Sequence, residues 1–188
     1  MSLLNNIINT MSIKSIAVFC GSKSGNNILF ENHTKELGTL LAKKNVAIIY
    51  GGGNKGLMGA VANAALEGKG TVIGIIPQVL KEWEHHHDGI TELLIVDTMH
   101  TRKKMLYDKC DAAIILPGGY GTLDEVFEML TWNQLKIHNK KLFFLNSGGF
   151  YDHLIAHINM MHDTGFLYDH PDLKMTILTE PHQLLEYL

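Results

Sequence analysis

One carboxylate and one basic pair are the residues of this 188-residue chain whose types and spacing best suit chemistry on a phosphorylated ligand. Glu125 ends the glycine-rich segment 116–125, and Arg102 and Lys103 lie in the segment 99–105. A guanidinium offers a fork of donors to a phosphate or to a leaving base, and a carboxylate can stabilise developing positive charge. The alternative for the basic pair is an ordinary solvated helix face.

Three glycines, Gly118, Gly119 and Gly121, crowd into the segment that ends at Glu125. Glycine lets backbone amides approach a ligand closely, and the unpaired amides at the start of a helix attract an anion such as phosphate. The alternative is a capping box, in which Thr122 and Glu125 satisfy the first amides of a helix. A capping box needs none of these glycines, so the sequence favours a phosphate-binding loop.

A second glycine-rich segment, 50–59, contains a G-x-G-x-x-G spacing. In a dinucleotide-binding fold, an acidic residue about 20 positions further on holds the ribose hydroxyls. The next apolar run ends instead in Ile75, Ile76 and Pro77, which argues against NAD and favours a mononucleotide or its sugar. Gly56 and Gly59 have the alternative role of permitting tight helix packing. The chain has no G-x-x-x-x-G-K-[ST] segment, which argues against a P-loop kinase or ATPase.

Short apolar runs alternate with segments of helical apolar spacing. The runs that predict buried strands are Ser15–Cys20, Val46–Tyr50, Thr71–Ile76, Leu93–Val96, Ala112–Leu116 and Leu142–Leu145. Helices are predicted at Phe30–Lys43, Leu57–Leu66 and Val126–Leu135, with another beginning near Met99. The alternation predicts an α/β fold, a single Rossmann-like doubly wound domain with a mostly parallel sheet flanked by helices. Ligands of such folds bind at the carboxyl ends of the strands, where both glycine segments are expected.

The composition indicates which classes of binding partner suit the protein. The net charge of -3 and pI near 6.4 argue against nucleic acid or an anionic membrane, and a small polar ligand fits better. Cys20 and Cys110 lack the spacing of a disulfide framework or zinc site, so we expect a cytoplasmic protein with a buried Cys20 rather than a nucleophilic one. No run approaches the roughly 20 apolar residues of a membrane span. Residues 1–13 are expected to be a loose tail, and residues 14–188 a single domain.

The histidine run His85–His87 invites a metal assignment. Adjacent histidines in a loop do not converge on one ion unless the fold turns them together. We therefore expect no metal, and no cofactor.

Five segments, in order, resemble the LONELY GUY family of cytokinin-activating phosphoribohydrolases, whose members are often labelled lysine decarboxylases. The resemblance covers about residues 14–185 and rests on the segments 20–22, 50–53 with 56–59, 99–103, 117–125 and 131–135. It implies a homodimer that hydrolyses a nucleoside 5'-monophosphate, often an N6-substituted adenosine one, to free base and ribose 5-phosphate.

The resemblance also implies roles for individual residues. Arg102 and Glu125 match the catalytic pair, with Arg102 holding either the phosphate or the leaving base. The matching substrate-binding positions are Ser22, Gly52, Gly53, Glu84, Met99, Lys103, Gly118, Gly119, Tyr120, Gly121, Thr122 and Thr131. The histidine run lies where the base would be enclosed, so the base preference stays open.

Two other functions are weighed against hydrolysis. A non-catalytic nucleotide carrier or sensor of the same fold would gain little from Glu125 beside Arg102. A lysine decarboxylase would need a Schiff-base lysine with a partner for the pyridoxal ring nitrogen, and the sequence shows no such arrangement.

Overall fold

The computed structural model describes residues 12–81 and 85–188. Within them, one sheet contains seven strands: β1 (Ser15–Phe19), β2 (Ala47–Tyr50), β3 (Val72–Pro77), β4 (Glu92–Val96), β5 (Ala112–Ile115), β6 (Leu142–Leu145) and β7 (Met175–Leu178). The α-helices are α1 (Ile28–Lys43), α2 (Gly56–Glu67), α3 (Gln78–Lys81), α4 (Met99–Lys109), α5 (Tyr120–Gln134) and α6 (Asp152–Asp163). Short 3-10 helices lie at Ser147–Gly149, Pro171–Leu173 and Pro181–Tyr187.

The strand order is β4-β3-β2-β1-β5-β6-β7, and every pairing between these strands is parallel. The chain builds outward from β1 through β4 on one side and from β5 through β7 on the other. The order therefore reverses between β1 and β5, and in such sheets a ligand crevice opens there at the carboxyl ends of the strands. The predicted doubly wound α/β fold is confirmed.

Alternate residues of the strands supply two cores, one on each face of the sheet. In β1, Ile16 and Val18 belong to the core that includes α1 and α2. Ala17 and Phe19 belong to the core that includes α4, α5 and α6. Because both faces are covered, central strands such as β5 and β6 are buried and apolar throughout, which is why they form continuous apolar runs in the sequence.

Two helix starts are fixed by side chains. Asn27 accepts a hydrogen bond from the Leu29 N–H at the start of α1, at 3.0 Å. Thr98 accepts one from the Thr101 N–H at the start of α4, also at 3.0 Å. Such caps satisfy amides that the first helical turn leaves unpaired.

The predicted strands agree with the structure to within one residue at each end, but α3, α6 and β7 were missed, and α1, α2 and α5 begin earlier than predicted. β7 is a four-residue edge strand with a partly exposed middle, and α6 fully buries only Ile158. α5 begins at Tyr120, whereas the sequence predicted a start at Val126. Its first turn carries a glycine and polar residues instead of core side chains, so it lacks the apolar spacing on which the prediction rested.

The predicted tail lies largely outside the described residues, although Ile13 packs against the core. In the described ranges, no helix combines the length and the apolar character that crossing a bilayer requires.

Candidate active site

The loops that leave β1, β2 and β5 meet at the point where the strand order reverses. The Gly21 N–H donates to the Pro117 carbonyl at 3.0 Å, and the Gly21 carbonyl accepts from the Leu57 N–H at 3.1 Å. Gly56 has a φ of +58°, and a Cβ there would lie 2.4 Å from the backbone nitrogen of Lys23. Gly56 is thus fixed by contact with the β1 loop, which supports its interpretation as a packing residue.

The start of α5 lies against the same crevice. Gly119 is its N-cap and makes no side-chain capping hydrogen bond. Thr122 and Glu125 both lie inside the helix, so the capping-box alternative is wrong. A Cβ on Gly118 would lie 2.2 Å from the Thr122 hydroxyl oxygen, so glycine is required at that position. A glycine N-cap leaves the first-turn amides without a cap from that residue, and such amides are the donors that an anion site uses.

A cavity of about 250 Å³ lies between the β1 loop and the start of α5. Ser22, Lys23, Gly118 and Gly119 line it, with the Phe150 ring on another side. The structure thus brings together three of the expected substrate-binding residues, Ser22, Gly118 and Gly119, in one concave space.

Arg102 is buried, with 7% of its surface exposed. Its Nε donates to the Ile75 carbonyl at 3.1 Å, and its Nη2 donates to the Gly51 carbonyl at 3.0 Å. These carbonyls lie at the carboxyl ends of β3 and β2. A Cβ on Gly51 would lie only 2.3 Å from Nη2, so the glycine makes room for the guanidinium. The solvated-face alternative is wrong for Arg102, whose position is set by two strand ends.

Glu125 is partly buried on α5. Burial, with a smaller contribution from the negative charge of Glu125, raises the pKa of the Cys20 thiol. Glu125 is therefore close enough to the carboxyl end of β1 to act on Cys20 electrostatically. Cys20 is 9% exposed and its thiol is protonated at neutral pH, which confirms that it is a buried residue rather than an activated nucleophile.

Lys103 contacts two carboxylates of α5. Its Nζ lies 3.1 Å from the Asp124 Oδ2 and 2.9 Å from the Glu128 Oε2, and its side chain is 18% exposed. Burial lowers the pKa of Lys103, but the hydrogen bonds and charges of Glu128 and Asp124 outweigh burial and raise it above its ordinary value. Lys103 is thus a charged lysine held by two carboxylates.

Comparison with known proteins assigns a family. The family model described as "Possible lysine decarboxylase" matches residues 58–188. Cytokinin riboside 5'-monophosphate phosphoribohydrolase LOG2 of Arabidopsis thaliana is 41% identical over 177 residues, which cover 93% of this chain and 82% of that protein. The cytokinin riboside 5'-monophosphate phosphoribohydrolase of Rhodococcoides fascians is 41% identical over 157 residues, which cover 82% and 78%. The chain belongs to the LONELY GUY family.

More distant solved structures share the fold of this LONELY GUY family member. The molybdenum cofactor binding protein from Rippkaea orientalis superposes with a TM-score of 0.70 at 22% identity, covering 94% of this chain and 95% of that one. The molybdenum cofactor carrier protein from Chlamydomonas reinhardtii gives 0.69 at 17% identity, covering 92% and 93%. At this identity the likeness concerns the fold alone.

The remaining expected contacts of the LONELY GUY pattern are spread over several places. Gly52 has a φ of +81° and packs against Ile76, and Gly53 forms an isolated bridge with His86. Met99 is partly exposed at the first residue of α4.

Tyr120 and Gly121 are the first two residues of α5, whereas Thr131 lies about two to three turns further along the same helix. Tyr120 is 94% exposed, and Gly121 is exposed beside it. The Thr131 hydroxyl donates to the Phe127 carbonyl at 2.7 Å and lines a separate cavity of about 240 Å³ between α5 and α6. Glu84 lies outside the described residues.

The histidine run contacts the loop that follows β2. The His87 N–H donates to the Gly52 carbonyl at 3.0 Å, and the His87 Nε2 lies 2.9 Å from the Asn63 Oδ1. His86 instead pairs with Asp88, at 2.8 Å. The two rings therefore turn to different partners, and the described side chains contain no group of three potential metal ligands.

Sequence reasoning missed Asp124 and Glu128, which hold Lys103, and Tyr107, which donates to the Glu128 Oε2 at 2.7 Å. A signal was available, because two acids four residues apart lie on one face of a helix and attract a common cation.

Proposed function

We propose that this protein hydrolyses the N-glycosidic bond of an adenosine 5'-monophosphate, including N6-modified forms, and releases the free base and ribose 5-phosphate. The observation that carries the proposal is the placement of Arg102 and Glu125 around the crevice where the strand order reverses, beside an uncapped helix start. The names of the relatives, which are phosphoribohydrolases of cytokinin riboside 5'-monophosphates, support the same reaction.

The phosphate is assigned to the start of α5. Amides of residues 118–122 at the positive end of a helix attract a phosphate dianion, and Gly118 allows the loop to approach it. Ser22 lies on the opposite wall of the cavity and can donate its hydroxyl to a phosphate or ribose oxygen. Binding of this kind holds the nucleotide by its phosphate. The residues that act on the glycosidic bond are then Glu125 and Arg102.

Glu125 is assigned to the sugar. Cleavage of a glycosidic bond passes through a sugar with oxocarbenium character, and a carboxylate beside it stabilises the positive charge or orients the attacking water. A proton must also reach the departing base, or its negative charge must be stabilised. Mutation of Glu125 should therefore lower kcat more than it weakens nucleotide binding.

Arg102 can serve the phosphate or the leaving base. Its two backbone hydrogen bonds fix the plane of the guanidinium, so that its donor directions are set before the substrate arrives. If Arg102 binds the phosphate, Arg102→Ala raises KM for the nucleotide and weakens inhibition by ribose 5-phosphate. If it assists the base, the same variant lowers kcat and leaves inhibition by ribose 5-phosphate intact.

The other substrate contacts are proposed from the resemblance. They are Gly52, Gly53, Glu84, Met99, Lys103, Tyr120, Gly121 and Thr131. We further propose that residues 14–188 form one catalytic domain that works as a cytoplasmic homodimer. The free, buried Cys20 and Cys110 fit a reducing compartment, and the partly exposed Phe127 on α5 fits a subunit contact.

The description of the matching family model names a decarboxylase, but Lys103 is poorly suited to that reaction. A Schiff-base lysine must lose its proton readily, and neighbouring carboxylates raise the pKa of Lys103.

The experiment that tests the proposal is a chromatographic assay of product release. The purified protein is incubated with AMP, with N6-isopentenyl-AMP and with adenosine as the phosphate-free control. We expect free base and equimolar ribose 5-phosphate from a nucleotide, and much slower release of adenine from adenosine. Nucleotide binding without release of base from either nucleotide would contradict hydrolysis and favour a carrier.

A further inference from the structure

Phe150 lies in the loop that follows β6 and lines the cavity at the start of α5, together with Gly118 and Gly119. The rings of Phe30 and Tyr151 pack against it in edge-to-face geometry, with ring centroids 5.5 Å and 4.8 Å away. Phe150 nevertheless remains 43% exposed. An aromatic side chain that two neighbouring rings hold in place, and that is still exposed in a concave space, is suited to binding the apolar part of a ligand there.

The backbone on both sides of Phe150 is fixed by hydrogen bonds. The Phe150 N–H donates to the Ser147 carbonyl at 3.2 Å, and the Tyr151 N–H donates to the Asn146 Oδ1 at 2.7 Å. The buried Tyr151 hydroxyl donates to the Leu116 carbonyl at 2.6 Å, and Leu116 leads directly into the glycine-rich loop before α5. The loop after β6 is therefore tied to the loop that carries the proposed phosphate site.

A buried histidine contacts the same loop. His33 of α1 is 6% exposed, its Nδ1 lies 2.9 Å from the Ser147 Oγ, and its Nε2 lies 3.2 Å from the Glu180 Oε2. A serine, a histidine and a carboxylate in contact invite comparison with a hydrolytic triad, but Ser147 is fully buried, so a substrate does not reach its hydroxyl. The three residues instead connect α1 and the residue before the last 3-10 helix to the loop after β6.

We propose that Phe150 binds the ribose 5-phosphate part of the substrate and that the contact between Ser147 and His33 positions its ring. The inference rests on the proposed function, which assigns the phosphate to the start of α5 in the same cavity.

The chemistry of the sugar supports this assignment. The ribose is joined to its phosphate through one methylene group, so it lies in this cavity or directly beside it. The carbon-bound hydrogens of the ribose are apolar and pack favourably against an aromatic ring. The ring also excludes water from the phosphate, which strengthens the attraction between the phosphate and the amides of α5.

The first test compares Phe150→Ala and Phe150→Leu by calorimetry with ribose 5-phosphate, AMP and adenine. Loss of the apolar contact in Phe150→Ala should weaken ribose 5-phosphate and AMP about tenfold, equivalent to about 1.4 kcal/mol. Phe150→Leu keeps an apolar side chain and should weaken them about threefold. Adenine lacks the sugar and phosphate, so its affinity should be the same in all three proteins.

Ser147→Ala tests the positioning. It removes the hydroxyl that contacts His33 but keeps the Phe150 ring, and it should weaken ribose 5-phosphate about threefold. In a Phe150→Ala background the same substitution should change this affinity by less than about 1.5-fold, because it acts through the ring. Its effect on Tm should be similar in both backgrounds. A serine with only a structural role would lower Tm and leave the affinity unchanged.

Phe166→Ala is the matched control for loss of an exposed aromatic ring. Phe166 lies after α6, is 78% exposed and does not line this cavity. The variant should bind ribose 5-phosphate, AMP and adenine as the unmodified protein does.

Two results would overturn the inference. One is an unchanged affinity for ribose 5-phosphate in Phe150→Ala; weaker binding of adenine in that variant would then indicate that the ring contacts the base. The other is a loss of affinity from Ser147→Ala that is equally large with and without the Phe150 ring. These measurements report binding alone. They decide the inference even if the unmodified protein releases no base, a result that would contradict only the proposed hydrolysis.

Discussion

Gly51→Ala places a methyl group where the Arg102 guanidinium lies. The new Cβ would be 2.3 Å from the Arg102 Nη2, and a carbon needs about 3.5 Å from such a neighbour. The guanidinium must therefore move by roughly 1 Å, and its 3.0 Å hydrogen bond to the carbonyl of residue 51 is strained or lost. A displacement of that size near the reacting bond predicts a fall in kcat of about a hundredfold.

The same substitution should lower stability. Overpacking of a buried site costs about 1–3 kcal/mol, and for a chain of this length each kcal/mol lowers Tm by about 2–4 °C. We expect Tm to fall by about 4–8 °C for a mid-range cost of 2 kcal/mol. Calorimetry or a dye-based melt measures this beside steady-state release of base.

Removal of Arg102 provides the decisive control for this prediction. In an Arg102→Ala background the guanidinium is gone, so the methyl group of Gly51→Ala has room. The second substitution should then change Tm by less than about 2 °C, because the two changes act through one contact. The reasoning is refuted if Gly51→Ala alone retains kcat within about twofold, or if its full loss of stability persists without Arg102.

Three further predictions concern the site and its supports. Gly118→Ala places a Cβ 2.2 Å from the Thr122 hydroxyl oxygen. It should weaken inhibition by ribose 5-phosphate about tenfold, the equivalent of roughly 1.4 kcal/mol. An unchanged inhibition constant would show that this loop does not bind the phosphate. Burial raises the pKa of Cys20 and raises that of Cys110 to about 11, so a thiol reagent at pH 8 should label neither cysteine in the folded protein and both in urea. Burial raises the pKa of Asp111, but hydrogen bonds from the N–H groups of residues 14 and 15 outweigh it and hold the pKa below its ordinary value of 3.8. Asp111→Asn should therefore lower Tm at pH 7, and the difference should narrow as the pH falls below about 4, whereas an equal difference at every pH would contradict the account.

The sequence predicted the parts of the fold that depend on continuous apolar burial. Strands such as Leu142–Leu145 are buried on both faces, so every residue carries the signal. The edge strand β7, with its partly exposed middle, and the helix α6, which fully buries only Ile158, were missed. The fold class could be predicted because buried strands that alternate with amphipathic helices pack into only a few kinds of fold.

The site was predictable where local sequence imposes the geometry. The glycines of the loop before α5 indicate that its backbone packs closely against neighbouring groups. Gly118 is an example, because a Cβ there would lie 2.2 Å from the Thr122 hydroxyl oxygen. The direction of Lys103 could not be predicted, because it depends on α5, which is distant in sequence and packs beside α4 only in the folded chain. Likewise, the backbone hydrogen bonds of Arg102 depend on the ends of β2 and β3, which only the sheet order brings together.

The most direct test of the central claim is release of base by Glu125→Gln under single-turnover conditions, with AMP binding measured in parallel. The account predicts that this variant binds AMP within about threefold of the unmodified protein but releases adenine about a hundred- to a thousandfold more slowly, since only the charge that stabilises the transition state is removed. Near-normal release by Glu125→Gln would contradict it, because the carboxylate would then have no part in the chemistry.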